Sequence, residues 1–449
     1  MSVLRCSEVI ISSDLGSKSS ECRQKGSICV LDINSCTALA CFREELGPIA
    51  NGLCLIKKNY LLSASENVLC VWNITNSSSP AIKMEVPKNI SSLAVSPDGL
   101  YCVAGIQEKL YVWCVLTGQL LSVIQKHFQN IVCIKFADNL TFLTGGEDNQ
   151  IIAWSLVDIF NAMDNKNNKN STPEPLFIWH DHTLPITDLY VGAGGIRARI
   201  VSSSLDRTCK FWDLATGRLL CSFMFSESLL SVTMNMAENR LYAGGSSGKI
   251  YVVDLSQGSA NTTDDTMSGG SDKTKFYFLG HSKHVNCLSV SMDGSLLASG
   301  SDDCTVKVWD TSNGRCLKTL MHKTAVTNAF IAPVYRSVFE TKSKETFPIH
   351  KFQTEMMNKK DKISSVLFQN FLQETNVCGQ SYPFQSDVFA TILAGELDSH
   401  IIPSDSVAED EEQSSRERTE TIAKLRKEID LIKTENEKLF TFSVSQLLK

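Results

Sequence analysis

The sequence predicts an all-β chain: a seven-bladed β-propeller over residues 1–335, then an irregular segment (336–412) and a C-terminal coiled-coil α-helix (413–449). Two observations predict the propeller. The first is a strand–turn–strand phrase, Ser299 to Asp310, in which a polar turn at Asp302 and Asp303 leads into the alternating Val306, Val308 and Trp309. Alternation is the period of a pleated strand. The second is its recurrence. Strand ends fall at Leu31, Trp72, Trp113, Trp154, Trp212, Val253 and Trp309, and most successive ends are 41 residues apart. The steps from 154 to 212 and from 253 to 309 are longer by 17 and 15 residues, and each holds a polar insert, 161–172 and 258–274. Seven strand ends at one period specify seven copies of one supersecondary unit.

Taken in order, the first unit reads as incomplete. Ser7 to Asp14 aligns with Leu296 to Asp303, a second strand; Ser27 to Asp32 reads as a third strand and Thr37 to Arg43 as a fourth. The innermost strand is missing at the N-terminus. His322 to Ile331 aligns with His281 to Ser289, the inner strand of the last complete unit. Residues 325–331 are therefore expected to return and close the ring, because an open ring leaves two unpaired edges. The other reading is a peripheral strand after seven ordinary blades. Between strands, Ser96-Pro97-Asp98-Gly99 and Ser291-Met292-Asp293-Gly294 are turn phrases in which Gly supplies the positive φ. The two inserts read as mobile surface loops of tolerated length.

Beyond residue 335 the period stops. After the acidic run Glu409 to Glu412, Arg416 to Phe442 contains no Gly or Pro. Ile422, Leu425, Ile429, Ile432, Asn436 and Leu439 are spaced 3-4-3-4-3, a coiled-coil seam of nearly three heptads. Such a helix is roughly 40 Å long at about 1.5 Å per residue. Asn436 falls at an a-type position, where a buried amide fixes register and favours two strands. Self-association through this seam is the expectation; packing back onto the propeller is the alternative.

Composition sets bounds. Apolar residues make up 43% of the 449, enough for a large core. The net charge of -6 gives no global basic field for nucleic acid. None of the 16 cysteines sits in a C-x-x-C pair, several (Cys29, Cys70, Cys133, Cys287) lie inside strand patterns, and no Cys/His cluster has zinc spacing. No stretch approaches the length of a membrane span. A reduced, soluble, intracellular protein without metal or cofactor is expected.

Three units carry one polar set in register: His127, Thr144, Asp148 and Trp154; His182, Ser202, Asp206 and Trp212; His281, Ser299, Asp303 and Trp309. A Ser-His-Asp nucleophilic site is one reading. Threefold repetition with a tryptophan attached instead resembles the structural tetrad of WD40 repeats, whose period of about 40–45 residues, terminal Trp-Asp and upstream Gly-His (here Gly280-His281) also match. That resemblance implies a relay from Asp through His and hydroxyl to the indole, and a chain that is not an enzyme. Gly244-Gly245-Ser246-Ser247-Gly248-Lys249 lies in strand–turn–strand register and is no phosphate loop. Lys359 to Lys362 is too short and mixed for a localisation signal.

Finer features resemble one family. Leu184-Pro185-Ile186-Thr187-Asp188-Leu189, Gly194-Gly195, Ala198-Arg199, Ser203-Ser204-Leu205-Asp206, Gly99 to Gly105, Ala325 to Ala329 and the terminal Leu439 to Ser443 are similar to the WD-repeat protein eighteen family, the propeller subunit of the rixosome. The resemblance runs from the first blade to the last helix and is weakest in residues 336–410 and both inserts. It implies a nuclear scaffold, nucleolar and nucleoplasmic, with a cytoplasmic pool also compatible. Its implied partners are a helical-repeat scaffold subunit, the midasin ATPase on pre-large-subunit ribosomal particles, and a second copy through the C-terminal helix. Its implied role is processing of the internal spacer of pre-rRNA; direct RNA contact gains no support from the charge. Two alternatives remain. A ubiquitin-ligase substrate receptor would carry Trp-Asp-x-Arg, which Trp212-Asp213-Leu214-Ala215 and Trp309-Asp310-Thr311-Ser312 both lack. A chromatin or DNA-replication scaffold would use the same fold.

Overall fold

The computed structural model describes residues 6–335 and 349–353, except 17–24, 36, 58, 75–79, 87, 165–172 and 256–274. The chain divides into two units, Met1–Lys359 and Lys360–Lys449. The second lies outside the described residues, and with it the expected seam Ile422 to Leu439.

The first unit is a seven-bladed β-propeller of four-stranded antiparallel sheets. Blade one joins Val326–Tyr335, Cys6–Asp14, Gly26–Asp32 and Ala38–Glu44 in that spatial order; blades two to seven each use four strands consecutive in sequence. In blade one the C-terminal strand supplies the inner position. Its register runs from Cys6 opposite Tyr335 to Asp14 opposite Val326. The strand extends to Tyr335, four residues past the stretch 325–331 read from the sequence, because Ala332 and Val334 continue the buried alternation. Last and first strands thus share one ladder, and the ring has no open edge.

Each apolar cluster spans two neighbouring blades. Val9, Ile11 and Phe42 of blade one meet Leu61 and Trp72 of blade two; Val306 and Val308 of blade seven meet Ile10 and Leu31 of blade one. Second strands such as Tyr60–Ser65 are buried along their whole length, since blades flank both faces. Outer strands such as Leu219–Met224 and Cys316–Met321 are mostly exposed. This gradient is the sheet-on-sheet packing of a radial array.

One expected loop begins as a helix. Residues Leu156–Asp164 form an α-helix, so 161–164 of the 161–172 insert are its last turn. Leu156 and Ile159 are fully buried, and Phe160 packs on Tyr101 with ring centroids 5.5 Å apart. An apolar i, i+3, i+4 set, not loop chemistry, governs this stretch. The remainder of this insert, and all of 258–274, lie outside the described residues.

Candidate functional site

The three polar sets come together inside blades four, five and seven. His127 Nδ1 lies 3.0 Å from Asp148 Oδ2, His182 Nδ1 2.8 Å from Asp206 Oδ2, and His281 Nδ1 2.9 Å from Asp303 Oδ2. On the far side of each ring, Nε2 meets Thr144 Oγ1 at 2.8 Å, Ser202 Oγ at 2.7 Å and Ser299 Oγ at 2.7 Å. The indoles of Trp154, Trp212 and Trp309 donate to those same hydroxyls at 3.1, 3.0 and 2.8 Å. An indole N–H can only donate, so each hydroxyl oxygen accepts from it, and an ionised aspartate can only accept, so in the neutral ring the Nε2 left without a proton takes the hydroxyl's. Nδ1 therefore carries the ring proton and donates to the aspartate. The residue after each aspartate, Asn149, Arg207 or Cys304, takes a positive φ near 65°, the left-handed step of the tight turn between second and third strands.

The electrostatics follow from the bonding. Burial alone would raise Asp206, but hydrogen bonds from His182 and Thr208 outweigh it and hold the carboxyl well below its ordinary value. Asp303 is held near about 2 by the same balance, with Thr305 and His281 as donors. His281 is lowered, because burial disfavours its charged form more than Asp303 favours it. Thr144, Ser202 and Ser299 are completely buried with both hydroxyl functions engaged. A substrate carbonyl has no approach to them, so the arrangement braces a blade.

Blade one holds a fourth relay, whose histidine and aspartate lie 308 residues apart in the chain. His322 Nε2 meets Ser12 Oγ at 3.1 Å, Nδ1 faces Asp14 Oδ2 at 3.4 Å, and Asp14 accepts from the Ser27 N–H and hydroxyl. Leu31 stands where the tryptophan would be. The signal was present, since His322 matches His281 and Asp14 matches Asp303. This relay ties the two ends of the propeller together.

Blade two uses a different acid. Glu44, at the end of blade one's outer strand, is buried and accepts from Trp72 Nε1 at 2.7 Å, Ser65 Oγ at 2.5 Å and Ser63 Oγ. Burial raises its carboxyl although all three donors favour the charged form. No fixed spacing marks such a residue. In blade three, Ala104 replaces the relay hydroxyl, and the Trp113 indole donates to the Gln353 carbonyl at 2.8 Å.

On the axis, Asn51, Cys54, Lys135, Asp188, Asn286 and Asn328 line a cavity of about 340 Å³. A bulge between Ile186 and Asp188 turns Asp188 inward, where it accepts the Val232 N–H of blade six at 3.1 Å and faces Lys135 Nζ at 4.0 Å. Burial raises this carboxyl. Asn286 donates to Asp302 and the Val326 carbonyl, and Asn328 donates to Ser13 and the Ile49 carbonyl. These amides bind blade to blade. Among the described residues no group of three or more His, Cys, Asp or Glu could hold a metal ion, and no helix is long and apolar enough to cross a membrane.

Comparison with known proteins agrees with this geometry. The family model for the WD domain, G-beta repeat, matches residues 118–155, 173–213 and 272–310, the stretches that carry the three tetrads. WD repeat-containing protein 18 of Bos taurus is 38% identical over 338 residues, covering 74% of this chain and 76% of that one. The Danio rerio protein of the same description is 39% identical over 306 residues, 68% and 69% of the two chains. Pre-rRNA-processing protein pro-1 of Caenorhabditis elegans is 27% identical over 259 residues, 57% of this chain and 48% of its own. With its fold, relays and these relatives taken together, the chain belongs to the WD repeat-containing protein 18 family of WD40 β-propellers.

Proposed function

We propose that the chain is a non-enzymatic scaffold subunit of the nuclear rixosome, acting in ribosome biogenesis by supporting large-subunit assembly and processing of the pre-rRNA internal spacer. The names of the relatives, one of them a pre-rRNA-processing protein, support the process. The observation that carries a scaffold role is a set of exposed apolar side chains on one end of the propeller. Ile196 (68% exposed), Met236 (51%) and Met292 (58%) sit on the connections between first and second strands of blades five, six and seven. Neighbouring connections adjoin: a Cβ on Gly192 would strike the Glu238 carboxylate, and Asn235 lies beside Gly294. Apolar groups held on rigid, adjacent turns are the usual core of a protein-binding surface.

The partners proposed are the helical-repeat scaffold subunit and, through it, the midasin ATPase on pre-large-subunit particles. Self-association is assigned to Ile422, Leu425, Ile429, Ile432, Asn436 and Leu439, and the site of action to the nucleus and nucleolus. The test is rescue of cells depleted of the endogenous protein. A chain carrying Ile196→Glu, Met236→Glu and Met292→Glu should keep the wild-type melting temperature yet leave the spacer-containing precursor accumulated. Full rescue by this variant would remove the surface from the proposal. Normal spacer processing after depletion would remove the function itself.

A further inference from the structure

The tryptophan at the end of a third strand has two needs: an acceptor for its N–H and a partner for its ring. In blades five and seven the acceptor is the second-strand hydroxyl, and the ring packs on an aromatic from the preceding blade's outer strand. Trp212 meets Trp179 at 5.2 Å between centroids, and Trp309 meets Phe278 at 5.7 Å. Phe42 serves Trp72 in the same way at 5.3 Å. The register shows these partners to be equivalent: Trp179 pairs Ile151, Phe278 pairs Ile250 and Phe42 pairs Ile28, each three residues before its blade's strand-end position.

Blade three lacks both. Ala104 stands at the hydroxyl position, and the equivalent outer-strand residue, opposite Leu69, is Met84. A segment from beyond the propeller strands supplies what is missing. The ring of Phe352 stacks on Trp113 at 5.4 Å and 16°, and the Gln353 carbonyl takes the indole N–H at 2.8 Å. Phe352 is 8% exposed, with its N–H against Met84 Sδ at 3.0 Å. The backbone is also read: the Gln353 N–H donates to the Gly118 carbonyl at 2.8 Å and the His350 N–H to the Val115 carbonyl at 3.4 Å. Gly118 has φ +70, and a Cβ there would lie 2.1 Å from the Lys351 carbonyl oxygen. The glycine clears the path of the incoming chain.

We infer that the cleft formed by Met84, Trp113, Val115 and Gly118 is a peptide-docking slot for an extended, aromatic-centred segment, and that this chain's own residues 349–353 are its occupant. The slot and its ligand are complementary defects. Although Tyr111 of the same strand stacks on Trp113 at 5.6 Å, the ring, the acceptor and the open glycine path are all found at the one tryptophan-bearing third strand, among the described residues, that has neither a blade hydroxyl nor an aromatic from the preceding blade's outer strand. Recognition through backbone hydrogen bonds plus one buried ring follows the logic of extended-peptide binding to a sheet protein. Occupied in cis, the slot tethers the chain that follows Gln353 to blades two and three and closes the cleft to competing peptides.

Two measurements on the full chain test this. In the wild-type protein the Gln353 amide should exchange with solvent at least tenfold more slowly than in a free peptide of residues 346–355. Exchange at the free-peptide rate would overturn the assignment, and protection that grows with protein concentration would place a second copy's segment in the slot instead. A fluorescently labelled peptide of residues 346–355 should then bind the full chain carrying Phe352→Ser at least tenfold more tightly than the wild type, whose slot is filled. The same peptide carrying Phe352→Ser should lose that binding. Equal binding to both chains, or by both peptides, would refute the slot.

Discussion

Asp206→Ala is the perturbation that separates a structural relay from a decorative hydrogen bond. Asp206 accepts from His182 Nδ1 at 2.8 Å, Thr208 Oγ1 at 2.6 Å, the Thr208 N–H at 2.9 Å and the Thr183 N–H at 3.2 Å. Truncation leaves the exposed Thr183 amide free to find water, but His182 is 4% exposed and its N–H keeps only the longer contact to Thr208 Oγ1 at 3.3 Å in place of the charged acceptor. An unsatisfied buried donor costs about 1–3 kcal/mol, and the loss of a charged acceptor places this case toward the upper end. For a cooperative unit of about 330 residues, with unfolding entropy near 2.1 cal/mol/K per residue, 3 kcal/mol corresponds to a fall in Tm of about 4 °C. Ser202→Ala breaks the same chain from the other side, stranding the Trp212 N–H and His182 Nε2. Since the relay acts as one network, the double variant should lose less than the sum of the two, with a coupling of about 1 kcal/mol. pH adds a second signature. The native carboxyl of Asp206 is held below its unfolded value near 3.8, so its stabilisation is present above that pH and is lost as pH falls through the native pKa. The gap between wild type and Asp206→Ala should therefore be wide at pH 7 and narrow below pH 3.8. Calorimetry across this range is the assay. An unchanged Tm at pH 7, or strictly additive single variants, would refute the relay.

Other outcomes follow from the same geometry. Glu44→Gln should raise Tm at pH 7.5, because burial lifts the native carboxyl above 4.5 and keeping it ionised costs stability once pH exceeds its native pKa. That advantage should disappear by pH 4, where the wild-type carboxyl is protonated in both states; thermal melts at the two pH values check it. Deleting residues from Ala325 onward removes the inner strand of blade one with the buried Val326, Ala329, Ala332 and Val334, a loss comparable to the whole stability of a domain. Loss of cooperative unfolding is expected, and an unchanged melt would mean that closure contributes nothing. His322→Ala is the milder version, costing about 1–3 kcal/mol by urea titration as Asp14 and Ser12 lose their partner.

What could be read from the sequence divides along physical lines. Strand ends are visible because each blade repeats one local pattern, and Leu31-Asp32, a weak copy without tryptophan, still falls on the 41-residue period. The three tetrads were visible because their members lie at fixed spacing within a single repeat. Substitutions in the relay were not. Glu44 serves blade two from blade one's outer strand, and only packing brings it to Trp72, 28 residues on. Trp113 and Gln353 are 240 residues apart, and no periodicity links them. The helix Leu156–Asp164 was hidden by the Asn- and Lys-rich stretch that follows it. Asp188 lies inside a strand pattern, and the one-residue bulge that turns it to the axis leaves no mark in the alternation.

What the protein assembles with tests the proposed function most directly. Affinity purification from nuclear extract should compare the full chain with one truncated before Arg416, each in the presence of a second, differently tagged copy. Both should bring down the helical-repeat scaffold subunit and midasin, and only the full chain should bring down the second copy. Recovery of ubiquitin-ligase adaptors, or of no ribosome-assembly factor by the full chain, would contradict that function while leaving the propeller as described.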